Sequence, residues 1–104
     1  MRIFCDIDGT LTDNPQKRWG NPRPEMIAKI NDLIEKGNKV ILWSAGGTCY
    51  AKAFAKSHGI KAIACLAKPD IMVDDKKTIR TRGIPIMSPD EFLCKDFNKE
   101  GRHV

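Results

Sequence analysis

The segment RIFCDIDGTLTDN, residues 2 to 14, sets two carboxylates, Asp6 and Asp8, one residue apart directly after a hydrophobic run. Two like unit charges about 4 Å apart repel by about 1 kcal/mol in water, and by several times that at the effective dielectric of a protein site. Their crowding calls for a metal ion, a shared proton or full solvation. Four further residues bear on the choice. Ser44 follows the apolar run VILW, Lys68 stands in KPD just past another run, and Asp74 and Asp75 close IMVDD. Carboxylates, a hydroxyl and an ammonium at the ends of apolar runs make a set suited to a hard divalent cation and a phosphate. Magnesium takes oxygen ligands, keeps several waters and completes its shell with substrate phosphate. A hydroxyl and an ammonium then hold the remaining phosphoryl oxygens.

For such a set to converge, the chain must bring several strand ends to one edge. Buried strands are predicted over 2–7, 39–44, 61–67 and 70–75, with a weaker fifth over 84–88. Between them the apolar spacing predicts helices. One begins at Pro24, with Glu25 in its first turn and Met26, Ile27, Ile30, Leu33 and Ile34 on one face, and ends at Gly37. A second spans about 48–58 with Ala51, Phe54 and Ala55 as its apolar stripe, and Gly59 stops it. A third starts at Ser88-Pro89-x-Glu91, a capping-box signature, and carries Phe92, Leu93 and Phe97. Residues 13–24, with three prolines and a glycine, read as loop. Strands alternating with helices predict an α/β fold with a doubly wound parallel sheet, whose functional residues lie at the carboxyl ends of the strands. Those ends deliver Asp6, Ser44, Lys68, Asp74 and Asp75. Trp43 is expected in the core and Trp19 in a loop beside the site, while His58 reads as a residue answering the end of a helix rather than as a catalyst.

With 104 residues, the chain is expected to form one domain, 1–104, with a loose tail from about 98 to 104. No apolar run approaches the roughly 20 residues of a membrane span, and no signal-peptide pattern opens the chain, so a cytoplasmic location and no membrane partner are expected. The four cysteines, Cys5, Cys49, Cys65 and Cys94, have no zinc-ligand spacing and read as buried free thiols. A net charge of +5 favours an anionic partner, although a solvated lysine-rich surface accounts for it as well.

At these residues the chain resembles the haloacid dehalogenase superfamily of phosphohydrolases. The family's D-x-D-G-T is matched by DIDGT at 6–10, its strand-end hydroxyl by Ser44, its lysine by Lys68 and its terminal acidic pair by Asp74 and Asp75, in the family's order. The resemblance implies a Rossmann-like, three-layer α/β/α fold and a phosphatase acting through an aspartyl-phosphate. It implies Asp6 as nucleophile and Asp8 as the acid that protonates the leaving oxygen and then the base that activates water. It implies magnesium, Mg2+, held by Asp6, the backbone carbonyl of Asp8 and Asp75, with Asp74 supporting. Ser44 and Lys68 would hold the phosphoryl group, with Gly9, Thr10 and Ala45 helping to cradle it.

Family members often insert a cap domain, but the stretches from Asp8 to Ser44 and from Ser44 to Lys68 are used up by one loop, two helices and two strands. Residues 11–24 can form only a short flap. An open site implies a large phosphorylated substrate, or a small one enclosed by a neighbouring subunit in a homo-oligomer. Lys17, Arg18 and Arg23 in the flap and the basic run KKTIRTR, residues 76–82, would attract phosphate-rich ligands such as a nucleotide or a nucleic-acid end. General anion steering explains these charges equally. One departure stands out: AGGTCY after Ser44 lacks the arginine that some relatives place there. Two rival readings remain, a receiver-like signalling phosphoacceptor and a non-catalytic phosphate-binding protein. Against the first, receivers carry their acidic pair before the phosphorylated aspartate, the reverse of the order here. Each residue also has a plain structural alternative: a solvated turn for the aspartates, a helix cap for Ser44 and a surface lysine for Lys68.

Overall fold

Three mainly apolar runs form a parallel sheet: β1 (Arg2–Asp6), β2 (Lys39–Ser44) and β3 (Ala64–Ala67). They are parallel and lie in the order β1-β2-β3 in the computed structural model, which describes residues 1–75 and 83–96. The register sets Asp6 opposite Trp43, and Ser44 opposite Ala67. The chain divides into two compact units, Met1–Lys68 and Pro69–Val104, and each is described by itself.

In the first unit, α1 (Pro24–Glu35) and α2 (Thr48–Ser57) supply the crossovers. Pro24 occupies the first turn of α1, where its missing N–H costs nothing, and Glu25 follows it toward the positive end of the helix. Ile30 of α1 and Tyr50, Ala51, Phe54 and Ala55 of α2 share one core with Cys5, Val40 and Leu42. Cys5 and Leu42 are register partners, so both helices cover the same face of the sheet. This follows from a strand order that never reverses, because right-handed crossovers laid in one direction all fall on one side. The opposite face carries Phe4, 51% exposed, and Leu66, 42% exposed.

The second unit pairs β4 (Met72–Val73) with β5 (Ile86–Met87), again in parallel, and continues into α3 (Pro89–Cys94). The predicted capping box is present: Ser88 Oγ accepts the Glu91 amide at 3.2 Å, and the Glu91 carboxylate accepts the Ser88 amide at 3.3 Å. Together these elements make a small α/β protein of parallel strands and helices. Among the described residues no helix is long and apolar enough to cross a membrane.

Several expectations need correction. The third strand begins at Ala64 rather than 61, and the fourth and fifth shrink to Met72–Val73 and Ile86–Met87. Trp43 is not a core residue: it stands half-buried on the sheet face away from the helices, edge-on to Phe4 with ring centroids 5.1 Å apart. Its run is apolar throughout, as in a strand covered on both faces, but in this unit the helices cover only one. Cys5 is buried, yet Cys49 and Cys94 are exposed. Phe97, the tail and the basic run 76–82 lie outside the described residues.

Candidate active site

The turn after β1 is built to hold its carboxylates at the sheet edge. The amides of Thr10, Leu11 and Thr12 all donate to the Ile7 carbonyl, at 2.8–3.2 Å, which folds DGT tightly back on the strand. Gly9 takes φ +83°, and a Cβ there would stand 2.7 Å from Pro15 Cβ, so both the backbone conformation and the space demand glycine. Residues 11–24 form a pinned loop rather than a free strand of chain. Thr12 and Pro22 make an antiparallel bridge, the Arg23 amide donates to the Leu11 carbonyl at 2.8 Å, and Asn21 is clamped twice by the Asp13 carboxylate.

On this frame Asp6 is gripped from two sides. Lys68 Nζ lies 3.1 Å from Oδ1 and the Thr10 hydroxyl donates to Oδ2 at 3.1 Å. A carboxylate accepts about four hydrogen bonds, so each oxygen keeps a lone pair directed elsewhere. Lys68 reaches this position because its amide donates to the Ser44 carbonyl at 3.0 Å, extending the β2–β3 ladder by one residue past β3. The same bond ties Lys68 to Ser44, which is buried at 2% exposure. Ser44 Oγ accepts the Gly46 amide at 2.9 Å and keeps its own proton to donate. It does not cap α2, whose cap position is Gly47 with φ +105°. The helix-cap alternative for Ser44 therefore falls away, and the ion pair with Asp6 does the same for a surface Lys68.

Asp8 is held by a residue that sequence reasoning missed. The Tyr50 hydroxyl donates to Asp8 Oδ1 and accepts the Trp19 amide at 3.1 Å. Burial raises the Tyr50 hydroxyl above its ordinary pKa and the bond to Asp8 adds to this, while the Trp19 amide and Arg18 pull it back down. Trp19 adopts φ +57°, an outlier for so bulky a residue that costs on the order of 1–3 kcal/mol. Packing holds it there: its ring meets Tyr50 edge-on at 5.0 Å and lies against Phe54 at 6.2 Å.

Arg18 reaches from the 11–24 loop to the turn that follows Ser44. Its Nη2 donates to the Gly46 carbonyl at 2.8 Å, and its Cζ lies 5.4 Å from the Tyr50 ring centroid. The point where a Cβ on Gly46 would sit is 3.1 Å from Arg18 Nε and 3.2 Å from Ser44 Oγ, so both side chains close on Gly46. Arg23, by contrast, pairs with Glu25 at 3.2 Å.

Other expected members are placed differently. The Gly9 amide donates to Thr12 Oγ1 at 3.2 Å and the Thr10 amide to Ile7, so both are engaged within the turn rather than turned outward. Ala45 is exposed beside Ser44. Asp74 and Asp75 follow β4 in the second unit, where the Asp74 amide donates to the Met87 carbonyl at 2.9 Å. His58 ends α2, its ring 4.3 Å from that of Phe54. Burial, and then the charge of Asp6, raise the Cys5 thiol to about 11, so it is no nucleophile.

Comparison with known proteins adds nothing to this geometry. No family model, curated protein or solved structure matches the chain. The donors that the first unit assembles are hard oxygens without Cys or His, a set suited to magnesium, which is commonly bound through one or two carboxylates plus water and phosphate. Among the described residues no group of three His, Cys, Asp or Glu stands together.

Proposed function

We propose that this chain is a magnesium-dependent phosphatase of haloacid dehalogenase type, without a cap domain, that hydrolyses a phosphate monoester through an aspartyl-phosphate. The same reading takes its sheet as part of a doubly wound, three-layer α/β/α fold. One observation carries the proposal: Asp6, at the carboxyl end of β1, is held between Lys68 and Thr10, with the buried Ser44 hydroxyl at the next strand end.

The chemistry follows from those contacts. The Lys68 ammonium offsets the repulsion between the Asp6 carboxylate and an approaching phosphoryl dianion, and the Thr10 bond fixes the carboxylate's rotation. Ser44 donates to a phosphoryl oxygen. Asp6 attacks phosphorus while Asp8 protonates the departing ester oxygen. Asp8, now a carboxylate, then takes a proton from the water that releases phosphate and restores Asp6. Magnesium would be held in the first unit by Asp6 and the Asp8 carbonyl, and would supply positive charge for the phosphoryl oxygens.

The test is turnover of a panel of phosphate esters with magnesium and with chelator: sugar phosphates, nucleotides, phosphopeptides and oligonucleotides phosphorylated at either end. The proposal expects release of phosphate that chelation and Asp6→Asn each abolish. Equal, slow release by wild type and Asp6→Asn across the panel would remove it. A stoichiometric, long-lived phosphoprotein would favour the receiver-like reading instead.

A further inference from the structure

We infer that Tyr50 is a positioning residue that assigns different roles to the two oxygens of Asp8, reserving Oδ2 for the proton exchanged with the substrate. The inference rests on the phosphatase reading above and goes beyond it, because nothing in the D-x-D-G-T motif points to a tyrosine on the second helix.

It begins with a proton inventory. A phenolic hydroxyl has one proton to give. The Trp19 amide donates to the Tyr50 oxygen at 3.1 Å, so at that contact the hydroxyl is the acceptor. Its single proton is therefore directed to Asp8 Oδ1. An oxygen receiving that bond is not the one that carries a proton, so the acid form of Asp8 bears its proton on Oδ2. When that proton passes to the ester oxygen, Asp8 becomes anionic and the Tyr50 bond becomes charge-assisted, hence stronger. Tyr50 thus favours the carboxylate formed as the leaving group departs, and it keeps Oδ2 facing the reaction for the return proton from water.

The surrounding structure fixes the tyrosine rather than merely accommodating it. Tyr50 is only 6% exposed, and Trp19 meets its ring edge-on. Arg18 lies over the ring while its Nη2 bonds the Gly46 carbonyl. Gly46 itself leaves no room for movement, since a Cβ there would come within 2.8 Å of Tyr50 Cδ2. The pinned 11–24 loop therefore acts on the chemistry through Trp19, whose left-handed backbone accompanies an amide bonded to the Tyr50 oxygen. A segment that reads as a flap over the substrate is also the back support of the acid.

Tyr50→Phe keeps the ring and removes the hydroxyl, and two readouts test it. In the first, kcat and KM are compared for p-nitrophenyl phosphate, whose leaving group needs little protonation, and for an alkyl phosphate, whose leaving group needs much. General acid catalysis is worth about 10²–10⁴-fold, and disordering the acid should forfeit roughly 10–100-fold of it on the alkyl ester. The aryl ester should lose no more than about 3-fold, with KM unchanged for both. In the second, hydrogen exchange at the Trp19 amide, measured on the protein without substrate, should accelerate in Tyr50→Phe and stay at its wild-type rate in Asp8→Asn. Equal losses on the two esters, no loss on the alkyl ester, or an unchanged Trp19 amide would each overturn the inference. A wild type inert toward both esters would instead remove the phosphatase reading, and the inference with it.

Discussion

Lys68→Met separates what the Asp6–Lys68 pair contributes to stability from what it contributes to chemistry. At 3.1 Å the raw attraction is large: two unit charges at about 4 Å interact by about 4 kcal/mol at an effective dielectric near 20. Both side chains, however, are about one-third exposed, 34% for Lys68 and 31% for Asp6. Solvent and salt screen such a pair, and comparable pairs are worth 0–1 kcal/mol to folding. For a domain of this size 1 kcal/mol moves the melting temperature by about 4–8 °C, so the substitution should cost no more than about 8 °C. Its effect on turnover should be far larger. Removing one preorganised charge-stabilising donor typically lowers kcat by about 10²–10³-fold, and here the lost group is the cation paired with the proposed nucleophile. Thermal melts and phosphatase assays on the same preparation give both numbers. A melting temperature lowered by 10 °C or more would show the pair to be chiefly structural. Activity within about 3-fold of wild type would refute the role assigned to Lys68.

Further expectations concern the support around the site. Gly46→Ala places a methyl 2.8 Å from Tyr50 Cδ2 and 3.1 Å from Arg18 Nε, and should destabilise the protein by about 1–3 kcal/mol in denaturant unfolding, as overpacked sites do. The thiols should divide by exposure: under native conditions a thiol reagent should label Cys49 and Cys94 quickly and Cys5 only after unfolding. Because the native Cys5 thiol is raised from 9.0 to about 11, the unfolded chain loses this proton first as pH rises. This contribution to stability is intact below pH 9 and declines between about 9 and 11; Cys5→Ala should flatten that decline in alkaline unfolding curves.

The parts of the fold set by local chemistry were legible in the residue order. Pro24 with Glu25, and Ser88-Pro89 with Glu91, mark helix starts through missing or bonded amides, and both helices begin there. β2 was readable end to end because its apolar run is bounded by Lys39 and Ser44. The start of β3 was not, because Ile60 and Ala62 belong to the core around α2 before the chain joins the ladder, and apolar residues leading into a strand look like the strand itself. Trp43 misled for a related reason: a run that is apolar throughout does not say which face the helices cover.

The convergence of Asp6, Ser44 and Lys68 was legible because each sits at or just past a strand end, where a parallel sheet delivers its residues to one edge. Tyr50 was missed, and Arg18 was read only as part of a general basic rim, because their contacts cross 42 and 28 residues of sequence. Tyr50 also falls beside Ala51 and Phe54 on the apolar stripe of α2 and passes for plain packing. The available signal was its hydroxyl, since a tyrosine buried on such a stripe needs a polar partner. Asp8, at the mouth of the neighbouring strand, was an open candidate.

The central claim is that the Asp6 carboxylate becomes phosphorylated during turnover. Mixing the protein with magnesium and a radiolabelled phosphate ester, quenching in acid within milliseconds and mapping the peptides would test this directly. The account predicts acid-stable, base-labile label on the peptide containing Asp6, rising and decaying on the timescale of turnover and absent from Asp6→Asn. Turnover with no label on that peptide, persisting in Asp6→Asn, would contradict it.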